Sequence, residues 1–126
     1  MELIRLMTEE ADRREVAVCI CIRDRHNNLV ASIRMKGAPL GSIELACQKA
    51  RSSALFPFPS EVLKMIPGVE LSNGIISNLQ GGLPLTTNSG LSAGSVGISG
   101  SQKRNEDTEI AQVAVDRIDF ILENYW

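Results

Sequence analysis

The sequence predicts a fold of the α/β class, α+β in type: a mostly antiparallel sheet with helices packed on its faces. Three observations carry this. The run Val16-Ala17-Val18-Cys19-Ile20-Cys21-Ile22 is apolar throughout, and an alternating run follows it after a polar turn. A second pair of strand-like runs flanks Asn88-Ser89-Gly90. Helical periodicity stands before, between and after the two pairs, so hairpins rather than β-α-β units set the topology.

Each element has its own signature. Leu3, Ile4, Met7 and Ala11 fall at helical spacing within residues 1–14, with Glu2, Glu9, Glu10 and Asp12 on the wetter side. The apolar run predicts a central strand near 16–23, covered on both faces. Asp24-Arg25-His26-Asn27-Asn28 is turn chemistry, since Asn and Asp tolerate left-handed angles. Leu29, Ala31, Ile33 and Met35 alternate with Val30, Ser32, Arg34 and Lys36, a half-exposed strand near 28–35 that closes a hairpin.

Gly37-Ala38-Pro39 opens a helix near 40–54, started by Pro39 or capped by Ser42. Leu40, Ile43, Cys47, Ala50 and Ala54 form its core stripe, with Ser42, Lys49, Ser52 and Ser53 opposite. Pro57 and Pro59 stop it. Residues 60–80, broken by Pro67, Gly68, Asn73 and Gly74, read as a short helix and irregular chain. Strands follow near 82–87 and 91–99. Gly94 and Gly97 inside the last are costly unless another backbone or a ligand approaches closely. The final helix runs near 106–123, capped by Asn105, with Glu106 and Asp107 at its positive end.

Composition narrows the function classes. At 126 residues the chain reads as a single domain, 1–126, with a self-sufficient core. Its formal net charge is -2, and the only short basic clusters are Arg13-Arg14 and Lys103-Arg104. A nucleic-acid partner, which needs a basic stripe, is therefore not expected. No apolar run nears the roughly 20 residues that span a bilayer, so no membrane partner is expected. The start, Met1-Glu2-Leu3-Ile4-Arg5, is too charged for a secretory leader. Cys19, Cys21 and Cys47 are odd in number. Cys19 and Cys21 share a strand face where bridging each other is geometrically poor. Reduced thiols in a cytoplasmic protein are the simplest reading, and a Cys-x-Cys metal site the sharper one. No metal ligands are assigned.

Four local strings resemble the GlcG/HbpS/PduO C-terminal family, also called the haem-degrading domain family. They are Ile22-Arg23-Asp24 through Leu29-Val30 to Arg34-Met35; Ala46-Cys47-Gln48-Lys49-Ala50 running to Phe56-Pro57; Gly81-Gly82-Leu83-Pro84-Leu85; and Gly94-Ser95-Val96-Gly97-Ile98-Ser99-Gly100 followed by Asp107 and Ile110-Ala111. They stand in the family's order from residue 16 to 120. The resemblance implies a profilin-like α-β-α sandwich, assembly into homo-oligomers, and association with haem, corrinoids or other small molecules. Asn27 replaces a usual Gly, Lys36 a usual Asp, and Ser52-Ser53 a usual Thr-Ala.

Candidate site residues follow from chemistry and resemblance together. Lys49 matches the family's Lys-Ala pair; a lysine facing a cleft holds a carboxylate or phosphate, while the plainer reading is a solvated lysine opposite the core stripe. On either reading Lys49→Ala should cost no more than about 0.5 kcal/mol of stability. Gly81, Gly82 and Pro84, with the glycines of the last strand, offer backbone amides to an anion or serve tight packing. Ser99 precedes the last helix, and Asp107 reads as a helix-end acid or a general acid-base. Arg34 completes the expected cleft.

His26 is the only histidine, and histidine is a common haem ligand. Its turn position reads as solvated and turned away from the Gly81–Lys49 cleft, so His26→Ala should leave haem affinity nearly unchanged. The leading expectation is a small-molecule-binding protein of the haem/corrinoid-associated type. The alternatives are a pathway enzyme, with Lys49 and Arg34 holding an anionic metabolite and Asp107 moving a proton, or a ligand-free oligomeric accessory protein. Ile110, Val113, Ala114, Ile118, Phe120 and Ile121 give the last helix an apolar arc wider than one sheet face needs, with Arg117 inside it. That arc predicts a subunit interface, unless the first helix and Tyr125-Trp126 cover it.

Overall fold

The computed structural model describes residues 1–66, 68 and 74–124, position 124 by its backbone only. The chain runs α1 (Glu2–Arg13), β1 (Cys19–Arg23), β2 (Leu29–Arg34), α2 (Ser42–Leu55), a 3₁₀ turn (Ser60–Met65), β3 (Gly82–Thr86), β4 (Ser92–Ser99) and α3 (Glu106–Asn124). Pro67 and Asn73, expected to break the chain, lie outside the described residues, as do Tyr125 and Trp126. The four strands form one sheet in the order β2-β1-β4-β3, antiparallel throughout. The fold is thus the mixed class expected. β1 starts at Cys19 rather than 16 because Glu15, left-handed at φ 57°, closes α1. That closure leaves the Val16 amide on Ala11 O at 3.0 Å.

The sheet divides two layers. Val18, Ile20, Ile22, Leu83, Leu85, Val96 and Ile98 face α1 and α3 and pack with Leu3, Met7, Ala11, Ile110, Ala114, Ile118 and Ile121. Each large side chain fully buried there contributes about 1.5–3 kcal/mol. This layer explains the width of the α3 arc: α1 lies on its second side. Arg14 of α1 fixes the contact by pairing with Glu109 at 2.6 Å and Glu10 at 2.7 Å. Arg117 is exposed, its guanidinium 4.9 Å from the Phe120 ring centroid, so its stem snorkels to water.

The other layer corrects the expected stripe of α2. Leu40 is 73% exposed and Ile43 42%, whereas Ser42, Ala46, Lys49, Ala50, Ser52 and Ser53 are buried. The helix is rotated so that its small residues meet the sheet. The reason is the gap: a Cβ on Gly97 would lie 2.1 Å from Ala46 O and 2.5 Å from Ala50 N. A leucine cannot enter so narrow a seam, and serines enter it because their hydroxyls find backbone carbonyls. Ser95 donates to Ala50 O at 2.6 Å, Ser52 to Ser77 O at 2.8 Å, and Ser53 to Phe58 O at 2.8 Å.

β2 departs from the half-exposed strand as well. Leu29, Val30 and Ile33 are all open to solvent, so both faces of this edge strand are wet. α2 makes only slight contact with it and does not bury it. β3, the other edge, carries Pro84, a residue that edge strands accept because it donates no ladder bond. Among the described residues no helix is long and apolar enough to cross a membrane.

Candidate functional site

Lys49 enters the seam from α2 and crosses under β4. Its ammonium donates to Ile98 O at 2.9 Å and to Asp107 Oδ2 at 3.4 Å. The side chains are only 4% and 3% exposed, so this is a buried ion pair and not a solvated lysine at a cleft mouth. The small cost expected for Lys49→Ala falls with that reading.

Burial pulls the Lys49 ammonium below its ordinary value, opposed by the attraction of Asp107. Burial likewise pushes the Asp107 carboxyl up, against the pull of Lys49 and a hydrogen bond from the Ser101 amide at 3.1 Å. Desolvation outweighing attraction is ordinary for a pair taken out of water. Gly81, at φ 120°, makes room for it, because a Cβ there would lie 3.1 Å from both Lys49 Cδ and Asp107 Cβ.

Gln80 is the residue sequence reasoning missed. Its carbonyl accepts from the Thr108 amide at 3.0 Å and the Thr108 hydroxyl at 2.7 Å, while its amide donates to Asp107 at 3.4 Å. Gln80 thus ties down the first turn of α3, the role expected of Asn105, which instead takes a left-handed turn at φ 64°. Its only sequence signal was its place before Gly81-Gly82. Ser60 was missed too; its hydroxyl accepts from the Gly82 amide at 2.9 Å.

Of the expected cleft, Lys49, Gly81, Gly82, Ser99 and Asp107 gather at one end of the sheet. Gly81, Gly82 and Ser99 are all buried there. Arg34 does not join them: it lies exposed on β2, in the row that runs Arg34–Cys19–Ser99. Pro84 sits farther along β3, opposite Ser95. The Lys49–Asp107 pair at the gathered end is itself closed off from solvent.

An open groove lies at the opposite end, where the two hairpin turns meet the last turns of α3. Asp24, Arg25, His26, Thr87, Leu91, Ser92, Ala93 and Leu122 line a groove of about 790 Å³. Two further grooves measure about 420 Å³, between α1 and α3, and about 370 Å³, beside Gly100, Ser101 and Glu106 at the Lys49–Asp107 end. The turn that carries His26 is well built. Asp24 Oδ1 accepts from the His26 amide at 2.8 Å and the Asn28 amide at 2.9 Å, and Asn27 takes the left-handed angle, φ 65°. The Asn28 amide bond, ahead of the other contacts, holds Asp24 below the usual carboxylate range. Arg25 Nε donates to His26 Nε2 at 3.3 Å. The facing turn is pinned to α3 by the Asn88 amide on the Asp119 carboxylate at 3.1 Å.

The groove therefore sets a cation and an imidazole against Leu91, Ala93 and Leu122, which suits a flat apolar ligand bearing carboxylates and able to accept a nitrogen donor. Among the described residues, no three His, Cys, Asp or Glu side chains converge to hold a bare metal ion.

Known proteins bear on this geometry. A family model described as haem degrading protein HbpS-like matches residues 1–116. The corrinoid adenosyltransferase PduO of Salmonella typhimurium is 33% identical over 125 residues, covering 93% of the chain but 37% of that protein's length. A crystal structure of Klebsiella pneumoniae protein ORFY superposes with a TM-score of 0.85 at 26% identity, over 93% of this chain and 85% of that one. A crystal structure of a PduOC:Heme complex gives 0.80 at 29% identity, over 90% and 87%.

Proposed function

The chain belongs to the HbpS-like haem-degrading family, and on that premise we propose that it binds a haem-type tetrapyrrole in the groove between its two hairpin turns. The observation that carries the proposal is the lining: the chain's single histidine stands beside an arginine at the rim of a groove of about 790 Å³. His26 would offer the iron a nitrogen donor, Arg25 would meet a propionate, and Leu91, Ala93 and Leu122 would cover part of the ring. Bound haem supplies a redox-active iron. The chain's part is to orient the ring and to shield one face from water. The haem complex among the structural relatives supports the ligand class. The adenosyltransferase activity of a protein nearly three times as long as the matched stretch does not transfer with it.

On this reading Lys49, Gly81, Gly82, Ser99 and Asp107 hold the closed end of the sheet, and the ligand lies at the other. An enzyme acting on an anionic metabolite through Lys49 and Asp107 would first have to break their buried pair. Haem titration followed by the Soret band tests the proposal. The expectation that His26→Ala leaves haem affinity nearly unchanged, made for a ligand at Lys49, is reversed here: the variant should weaken binding by about tenfold or more, the loss of some 1.4 kcal/mol. A ligand held at Lys49 instead would make the same variant silent. Unchanged affinity, with the Soret shift intact, would reject the groove.

Homo-oligomerisation moves with the same reading from α3, which α1 covers, to the bare edge of β2. An unpaired strand with Leu29, Val30 and Ile33 in water is a template for pairing. Sedimentation at micromolar concentration should give an oligomer that Arg117→Glu leaves intact and Ile33→Lys disrupts. A monomeric wild-type chain would refute the interface.

A further inference from the structure

Each thiol of the chain lies at the contact between β1 and α2. Cys19 and Cys21 are buried on the face of β1 that meets α2, and Cys47 packs from the helix against the cluster they form with Ala38, Ala46 and Ala50. Cys19 is engaged by Ser42, whose hydroxyl reaches its sulfur at 3.6 Å. Cys21 and Cys47 belong to one packed cluster, and Cys47 and the Arg23 guanidinium both influence the Cys21 thiol. Arg23 Nε is buried there without a hydrogen-bond partner.

The seam is narrow where Cys21 and Cys47 sit. Cys21 is the register neighbour of Gly97, and Cys47 follows Ala46, the residue whose carbonyl presses on Gly97. Disulfides need Cα atoms within roughly 4.4–6.8 Å, closer than a helix seated on leucines comes to a sheet. Glycine in the strand and alanine in the helix remove that spacing.

We propose that Cys21 and Cys47 form a reversible disulfide that staples α2 to β1 when the protein meets hydrogen peroxide. Cys47 is the partly exposed member and reacts first. Its thiolate attacks one peroxide oxygen; an S–O bond forms, the O–O bond breaks, and the departing hydroxide is protonated to water. Cys21 then attacks the Cys47 sulfenic acid. The S–S bond forms, the S–O bond breaks, and the Cys21 proton leaves with the hydroxide as a second water. Two thiols lose two electrons, and peroxide takes them. Burial pushes the Cys21 thiol above its ordinary value, which suits a resolving partner and not the first nucleophile.

The test is peptide mapping of the full chain without reductant, after peroxide and an alkylating block. One cross-linked peptide pair joining residues 21 and 47 should appear within single chains, two hydrogens lighter than its reduced parts. Dithiothreitol should remove it. Cys19→Ala should leave the cross-link, Cys47→Ser should abolish it, and the oxidised wild-type chain should melt at a higher temperature than the reduced one. Sulfinate at Cys47 with Cys21 still alkylatable after unfolding would overturn the proposal, and so would a bond joining two chains or joining Cys19.

Discussion

Gly97→Ala should destabilise the protein at the upper end of the roughly 1–3 kcal/mol typical of overpacking, or beyond it. The new methyl would meet backbone, 2.1 Å from Ala46 O and 2.5 Å from Ala50 N, and backbone in mid-helix cannot rotate away as a side chain would. Relief requires α2 to lift off the sheet. That motion would loosen the Ser95–Ala50 hydrogen bond and the Lys49 contacts together. Gly82→Ala should behave alike, since its methyl would lie 2.4 Å from Lys49 O. Gly41→Ala is the control: a methyl there would meet no atom within 4 Å, so its effect should stay within about 0.5 kcal/mol. Urea denaturation of the three variants decides the matter. Equal stability of Gly97→Ala and Gly41→Ala would mean that the seam is not tight.

That seam also marks where the sequence was legible and where it was not. Glycine inside a strand is informative, because its entropic cost must be offset by a close approach, and Gly97 was readable on that ground. The two outer strand pairs followed from hairpins and α1 and α3 from their periodicity, whereas the β1–β4 pairing that joins the hairpins carried no sequence signal. The orientation of α2 was not readable from hydrophobicity, because the gap over Gly82 and Gly97 selects for size. Ser42, Ala46 and Ala50 recur every four residues, and that stripe of small side chains was the available signal. Leu40 and Ile43, the stronger hydrophobes, were left outside. β2 alternates as a half-buried strand should, yet α2 barely touches it; alternation fixes which residues share a face, not whether anything covers that face. The candidate site failed differently. Lys49 and Asp107 lie 58 positions apart, and only tertiary structure could pair them. The groove at the other end is assembled from two turns and a helix end; the first turn lies in a family-like string, but nothing in the sequence brings the three together.

Lys49→Met should cost about 3–5 kcal/mol at neutral pH, the range for removing one partner of a buried pair. The cause is Asp107, which would remain 2% exposed among donors from Ser101 and Gln80 but without its cation. The deficit should depend on pH. Burial already holds the folded carboxyl above the ordinary 3.8, and removing Lys49 takes away the attraction that opposed it. Between 3.8 and that raised value the folded chain keeps a proton that the unfolded chain has lost. Stability of the variant therefore falls as pH rises through the window, by at most about 1.4 kcal/mol per pH unit. Below it both states are protonated, Asp107 is neutral, and the variant should come nearest to the wild-type chain. Adding Asp107→Asn keeps an acceptor for the Ser101 amide and removes the charge, so the double variant should recover much of the loss and flatten the profile. Denaturation midpoints from about pH 4 to 8 read all three chains. A Lys49→Met deficit that stays constant across that range, or is unchanged by Asp107→Asn, would show that Lys49 stabilises the seam through Ile98 and its own packing and not through Asp107.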